Sequence, residues 1–282
     1  MKPLLQTFDL AVGHSAAVRN ASGSGRPTSG SDRQPAGALI TGINLQIGPG
    51  ECILLCGANG SGKTTLMRTL AGVLRPLSGR FEGGPVVLVP TRIPKIAGFT
   101  LREFIRLSCY QESGWDGRLH YQAEQAISHA MDILGISDLA AHDISTLSDG
   151  EFQKGCIATA LVRVVSKDQP AAFPDSARPG ENPSPTPAGL ILLDEPTAFL
   201  DVEGRRNVLE TLRRVAAQSG ASFLFSSHDL SDSAAFSTRV LGITPEGRLL
   251  DTGDMTGKKG PEAHGWDAET SQSIFRACFP SL

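Results

Sequence analysis

The segment Gly57-Ala58-Asn59-Gly60-Ser61-Gly62-Lys63-Thr64 constrains this chain more than any other. It matches the pattern G-x-x-x-x-G-K-[ST], and its flanks have the character the pattern needs. Cys52 to Cys56 is an apolar run that reads as a buried strand, and the residues from Lys63 onward read as a helix. The glycines let the backbone curl so that the N–H groups of residues 57–62 point at phosphate oxygens, and the helix N-terminus adds a partial positive charge. Lys63 is expected to reach the β and γ phosphates of a nucleotide, and Thr64 to offer its hydroxyl to Mg²⁺, a hard cation that takes oxygen ligands. Thr65, the next residue, joins the same nucleotide-binding set. A glycine-rich turn with no ligand is the plain alternative, but a chance match in a chain of this length is on the order of one per cent. The loop by itself leaves kinases, GTPases and other NTPases open.

A second segment supplies what a phosphate site lacks. Leu190-Ile191-Leu192-Leu193-Asp194-Glu195-Pro196 is an apolar strand ending in two carboxylates. Both acids therefore emerge at the carboxyl edge of a sheet, where α/β folds bind ligands. Asp194 is expected to hold the Mg²⁺ shell, and Glu195 to orient and activate the attacking water. The alternative is a strand that ends in a solvated acidic turn.

The rest of the chain reads as α/β. Ile43, Leu45 and Ile47 alternate with Asn44 and Gln46, the period-two pattern of a strand with one wet face. Val86 to Val89 and Phe223 to Phe225 join Cys52 to Cys56 and Leu190 to Leu193 as short apolar runs, expected of strands covered on both faces. Lys63 to Leu74 places Leu66, Leu70 and Val73 on one helical stripe, and Tyr121 to Leu134 does the same with Ala123, Ile127, Ala130 and Leu134. Two stretches, 20–37 and 167–189, are rich in Ser, Gly or Pro and are expected to be disordered surface insertions.

Bulk properties exclude several classes. The 282 residues carry a net charge of -3, which gives no general attraction to nucleic acid, so no nucleic-acid partner is expected. No apolar run approaches the roughly 18 residues needed to span a bilayer, and Met1-Lys2-Pro3-Leu4-Leu5 leads into Asp9 rather than a signal core. The chain is expected to stay in the cytoplasm, with any membrane role resting on another subunit. Cys52, Cys56, Cys109, Cys156 and Cys278 form no C-x-x-C pair and are read as reduced, packed thiols.

Leu147-Ser148-Asp149-Gly150-Glu151 precedes a helix with Phe152, Cys156, Ala160 and Val164 near one face. Ser148 and Glu151 have capping-box spacing, so these residues alone leave helix capping and nucleotide contact equally open. Set ahead of Asp194-Glu195-Pro196, the segment resembles the signature of ABC ATPases, usually Leu-Ser-Gly-Gly-Gln. Phe199-Leu200-Asp201 resembles their D-loop, and Ser227-His228-Asp229 their switch histidine, which contacts the γ-phosphate.

This resemblance spans nearly the whole chain apart from the two insertions and the C-terminal tail. It implies an ABC cassette of P-loop NTPase type, with a RecA-like parallel-sheet core, an antiparallel β subdomain and a helical subdomain at about 95–165, all within one domain over 1–282. It implies ATP hydrolysis with Mg²⁺ in a head-to-tail dimer. Ser148 and Gly150 of one copy would face the γ-phosphate held by the other, His228 would serve catalysis, and Asp201 joins the nucleotide-binding set.

Three positions depart from that pattern. Thr91 stands near the usual glutamine that links Mg²⁺ to the membrane partner, and its reach is shorter. His14 stands where an aromatic ring commonly stacks on adenine. Asp149 replaces a glycine and adds a carboxylate near a polyanion, although the Ser-Asp-Gly-Glu form resembles that of ferric-siderophore importers.

Gly98-Phe99-Thr100-Leu101-Arg102-Glu103-Phe104 and Gly114-Trp115-Asp116-Gly117-Arg118-Leu119 resemble ATPases that power uptake of ferric siderophores, haem or cobalamin. Plain helical packing also explains the apolar members. The implied partners are integral membrane permease subunits, a second copy of the chain and, indirectly, a substrate-binding protein, at the cytoplasmic face of the inner membrane. A soluble ABC ATPase acting on nucleic acid or ribosomes is the alternative, but one P-loop and no heptad run disfavour it.

Overall fold

The alternation at Ile43, Leu45 and Ile47 does bury those three side chains and expose Asn44 and Gln46, but across two strands rather than one. In the computed structural model, β1 (Leu5–Gly13) pairs antiparallel with β2 (Ala38–Ile43) and with β3 (Gln46–Ile47). The Thr7 hydroxyl fills the break between β2 and β3, donating to the Ile43 carbonyl at 2.8 Å and accepting the Leu45 N–H at 2.7 Å. The structure describes residues 3–14, 35–109, 121–165, 189–227, 230–253 and 268–279. The stretches 20–37 and 167–189 thus lie outside the described residues except at their last positions.

A six-stranded sheet forms the centre. It comprises β4 (Cys52–Gly57), β6 (Val86–Val89), β7 (Leu190–Leu193), β8 (Ser222–Ser226), β9 (Arg239–Ile243) and β10 (Leu249–Asp251), in the order β10-β9-β4-β8-β7-β6. All neighbours run parallel except β10 against β9. Every residue of β4, β7 and β8 is buried, as continuous apolar runs require. Val86 and Leu88 are only partly buried, because β6 is the edge strand. Between these two strands in sequence, β5 (Ser78–Gly83) pairs with β1 and completes the antiparallel sheet.

Helices cover both faces. α1 (Lys63–Leu70) follows the phosphate-binding loop and buries Leu66 and Leu70. Its expected extension to Leu74 does not occur: Gly72 takes φ +73, which ends the helix, and Val73 is 64% exposed. α2 (Leu101–Leu107), α3 (Tyr121–Ile133) and α4 (Asp149–Val165) pack together, with Ala123, Ile127, Ala130 and Leu134 buried as their spacing predicts. Glu124 of α3 holds Arg102 and Arg106 of α2 at 2.8 and 3.0 Å. Leu101 is buried and Phe99 exposed; Trp115 lies outside the described residues. α5 (Val202–Ser219), α6 (Leu230–Ala235) and α7 (Ala268–Cys278) complete the described helices named here.

Two apolar cores result. One joins α2, α3 and α4 to one face of the central sheet, and the other joins the opposite face to α1 and the antiparallel sheet. All five cysteines are free and buried.

A buried ion network locks the sheets together. Arg239 of β9 donates to Glu51 Oε2 at 2.9 Å, to the Gln46 carbonyl at 2.7 Å and to Asp251 Oδ1 at 2.8 Å. The Arg239 and Glu51 side chains are 3% and 4% exposed, so removing the guanidinium strands two desolvated carboxylates. Arg239→Met is expected to lower the unfolding free energy by about 3–5 kcal/mol, read from urea denaturation; a midpoint equal to wild type would contradict this account.

Candidate nucleotide-binding site

The site is built where three neighbouring strands end. β4 runs into the phosphate-binding loop, β7 into Asp194 and Glu195, and β8, between them in the sheet, into Ser226 and Ser227. Parallel pairing brings these ends together, Leu193 sitting opposite Phe225 and Leu55 opposite Ser226.

The loop has the conformation its glycines permit. Gly62 takes φ +103, a region L side chains rarely enter, and a Cβ there would lie 3.3 Å from Leu39 and Ile40. That turn starts α1, whose first intrahelical bond runs from the Leu66 N–H to the Gly62 carbonyl at 2.8 Å. Ser61 Oγ is buried and finds no hydrogen-bond partner among the described residues. The Lys63 ammonium donates to the Gly57 carbonyl at 2.8 Å and the Ala58 carbonyl at 3.1 Å. Burial holds this ammonium below the usual lysine range, an effect opposed by the negative charges of Glu195 and Asp194. Thr65 is buried behind the loop, while Asn59 and Gly60 are exposed at its tip.

Across the edge, both oxygens of Asp194 are engaged. Thr64 Oγ1 donates to Oδ2 at 2.9 Å, and Ser226 Oγ donates to Oδ1 at 3.0 Å. The same Ser226 Oγ accepts the Glu195 N–H at 2.9 Å. Glu195 sits at φ +54, a conformation uncommon for a residue with a side chain and worth about 1–3 kcal/mol of strain when it is held there. The chemistry fits a nucleoside triphosphate with a hard cation: an orphaned buried hydroxyl and the N-terminus of α1 for phosphate oxygens, and a hydroxyl with a carboxylate for the metal.

The signature segment adopts the capping geometry its spacing allows. Glu151 Oε2 accepts from the Ser148 N–H at 2.8 Å and the Ser148 hydroxyl at 2.7 Å, and the Glu151 N–H donates back to Ser148 Oγ at 3.2 Å. Those bonds draw the Glu151 carboxyl below its ordinary range. Ser148 is exposed, and its hydroxyl bonds Glu151 rather than the phosphate-binding loop of its own chain. Gly150 packs so closely on Leu200 that a Cβ would come within 2.6 Å of Leu200 Cδ2. Asp201 caps α5 by accepting the Gly204 N–H at 2.7 Å. His14 is exposed, with its N–H on the Gly37 carbonyl at 3.0 Å, and Thr91 is partly buried just past β6. His228 lies outside the described residues.

Two contributors escaped the sequence reading. Ser226 joins both acids, and only its place at the end of an apolar run beside Ser227-His228 hinted at a role. Lys95 pairs with Asp149 Oδ1 at 2.7 Å, answering the carboxylate that replaces a glycine; no local signal links two residues so far apart in sequence.

A phosphate-binding loop on a central parallel strand, with an acid pair two strands away, defines a P-loop nucleotide hydrolase. The model of the ABC transporter family matches residues 40–166. The hemin import ATP-binding protein HmuV of Nitrobacter winogradskyi is 31% identical over 254 residues, covering 85% of this chain and 83% of that protein. The zinc import ATP-binding protein ZnuC of Roseobacter denitrificans is 30% identical over 214 residues, covering 74% and 71%. A metal-chelate type ABC transporter solved in an inward-facing conformation shares the fold with a TM-score of 0.69 at 20% identity, covering 98% of this chain and 90% of that one. The chain belongs to the ATP-binding proteins of ABC transporters, and it is a nucleotide-binding ATPase. No helix among the described residues is long and apolar enough to cross a membrane.

Ser226→Ala leaves the Glu195 N–H and one Asp194 oxygen without their buried partner. It is expected to cost about 1–3 kcal/mol of unfolding free energy, measured by urea titration; wild-type stability would show that the serine does not tie the acids.

Proposed function

We propose that this chain is the ATP-hydrolysing subunit of an importer for an iron-siderophore, haem or cobalamin type substrate. The observation that supports the enzymatic part is the Thr64–Asp194 hydrogen bond, with Glu195 one residue beyond, beside the phosphate-binding loop. The cargo class is supported by the hemin and metal-chelate relatives and by the Gly98–Phe104 segment.

In this reading the N–H groups of residues 57–62 cradle the phosphates, and Lys63 exchanges its loop carbonyls for β- and γ-phosphate oxygens. Thr64 and Asp194 would hold Mg²⁺, which would supply positive charge against the phosphates. Glu195 takes the proton of the attacking water as its oxygen bonds to the γ-phosphorus and the bond to the β-phosphate oxygen breaks. His14 offers a ring to adenine, and His228 contacts the γ-phosphate. A second copy, arranged head to tail, supplies Ser148 and Gly150, with Asp201 beside them. The exposure of Ser148 supports this: its hydroxyl, whose one proton goes to Glu151 in the single chain, is open to solvent and can turn from the glutamate to donate to a phosphate oxygen.

Permease subunits would receive the motion at the cytoplasmic face of the inner membrane, near Thr91, with a substrate-binding protein acting through them. The net charge of -3 favours no nucleic-acid partner.

Glu195→Gln is expected to bind ATP and dimerise while turning over at least about 100-fold more slowly, measured by phosphate release and size-exclusion chromatography. Rapid turnover would remove Glu195 as the base. Affinity purification from native membranes is expected to recover a multi-span permease, and uptake assays with ferric siderophore, hemin, cobalamin and zinc then distinguish the cargo; recovery of ribosomes, or zinc uptake alone, would overturn the reading.

A further inference from the structure

Lys95 lies in the segment that leads from β6 to α2, far in sequence from the signature turn, yet its hydrogen bond and its ion pair both go to that turn. Its ammonium donates to the Leu147 carbonyl at 2.7 Å, pairs with Asp149 Oδ1 at 2.7 Å and sits 5.7 Å from the centre of the Phe152 ring. Phe152 in turn packs against Phe104 of α2, with ring centres 5.2 Å apart. The ammonium thus holds the residue before Ser148, the residue after it and the first turn of α4. The Lys95 side chain is 23% exposed and that of Asp149 is 65% exposed, a pair of the kind that contributes little to stability. Its value lies in what the turn presents.

We propose that Lys95 is a positioning residue of the ATPase cycle: it fixes the Leu147–Gly150 turn and neutralises Asp149, so that Ser148 and Gly150 can be offered to a triphosphate without a bare carboxylate between them. This rests on the proposed contact of Ser148 and Gly150 with ATP bound to a second copy. Asp149 stands between the two contact residues, and a like charge so close to a polyanion weakens the approach unless a cation answers it. The cation that does so is the Lys95 ammonium, which also grips the backbone at the Leu147 carbonyl and so holds Asp149 beside it.

The test uses the full chain, with ATP hydrolysis measured across ATP concentrations. Lys95→Met is expected to raise KM for ATP about tenfold, the order set by one uncompensated charge at a partly solvated contact, with kcat within about twofold of wild type. The rise shrinks as ionic strength increases, because screening weakens the repulsion. Lys95→Arg keeps KM near wild type, and the double variant Lys95→Met, Asp149→Gly returns it to within about twofold. An unchanged KM in Lys95→Met, or a raised KM that Asp149→Gly does not relieve, would overturn the proposal. Ser148→Ala, measured in parallel, separates the two layers: if it raises KM while Lys95→Met does not, only the role of Lys95 fails. If Ser148→Ala also leaves KM unchanged, the second-copy contact fails with it.

Discussion

Both oxygens of Asp194 are occupied, one by Thr64 from the phosphate-binding loop and one by Ser226 from the neighbouring strand. A carboxylate at a sheet edge, 6% exposed, loses much of its hydration and requires such donors. Meeting that requirement fixes the ends of β4, β8 and β7 relative to one another. It also sets Glu195, whose N–H is taken by the same serine and whose backbone is held at positive φ. The strain at Glu195 persists because Asp194, Ser226 and the turn after Glu195 determine the backbone from both sides. The acid pair is thus held in place at the edge, while the Lys63 ammonium, bound to the Gly57 and Ala58 carbonyls, is the group that must move to meet a phosphate.

The edge is connected to the signature turn through a short, tightly bonded path. Glu195 accepts the Ala198 N–H at 3.2 Å, Thr197 accepts the Leu200 N–H at 3.2 Å, and Leu200 lies against Gly150. One residue further on, Asp201 caps α5 and anchors the path's far end. A shift at the acid pair therefore has a packed route to the turn that carries Ser148. The capping box gives that turn a stable shape in the single chain, where the Ser148 hydroxyl gives its one proton to Glu151. Capping and nucleotide contact, which the residues alone left as rivals, are then successive uses of one serine, because its single O–H serves either Glu151 or a phosphate oxygen.

The phosphate-binding loop, the acid pair and the buried strands were legible because each is a local pattern: a glycine spacing, an apolar run, a pair of charges at its end. Val73 was misplaced because the helical period continues past Gly72, whereas the backbone does not. Val86 and Leu88 look like interior residues, and only strand order reveals an edge. β5 is Ser-Gly-Arg-Phe-Glu-Gly, a composition with little strand preference, and it forms because β1 supplies its ladder. Ser226 and Lys95 act through contacts with residues 32 and 54 positions away, which no window along the chain contains. The nucleotide chemistry was thus readable locally, while the ties that hold it in register are tertiary.

In the proposed dimer, a complete catalytic site takes its phosphate-binding loop and acid pair from one copy and its signature turn from the other. Mixing two inactive full-length variants, Lys63→Ala and Ser148→Arg, tests it most directly by ATP hydrolysis. A mixed dimer contains one site with an intact loop from the second variant and an intact turn from the first. The account predicts that activity absent from either variant alone emerges on mixing; no gain over the separate proteins, with both folded and able to dimerise, would contradict it.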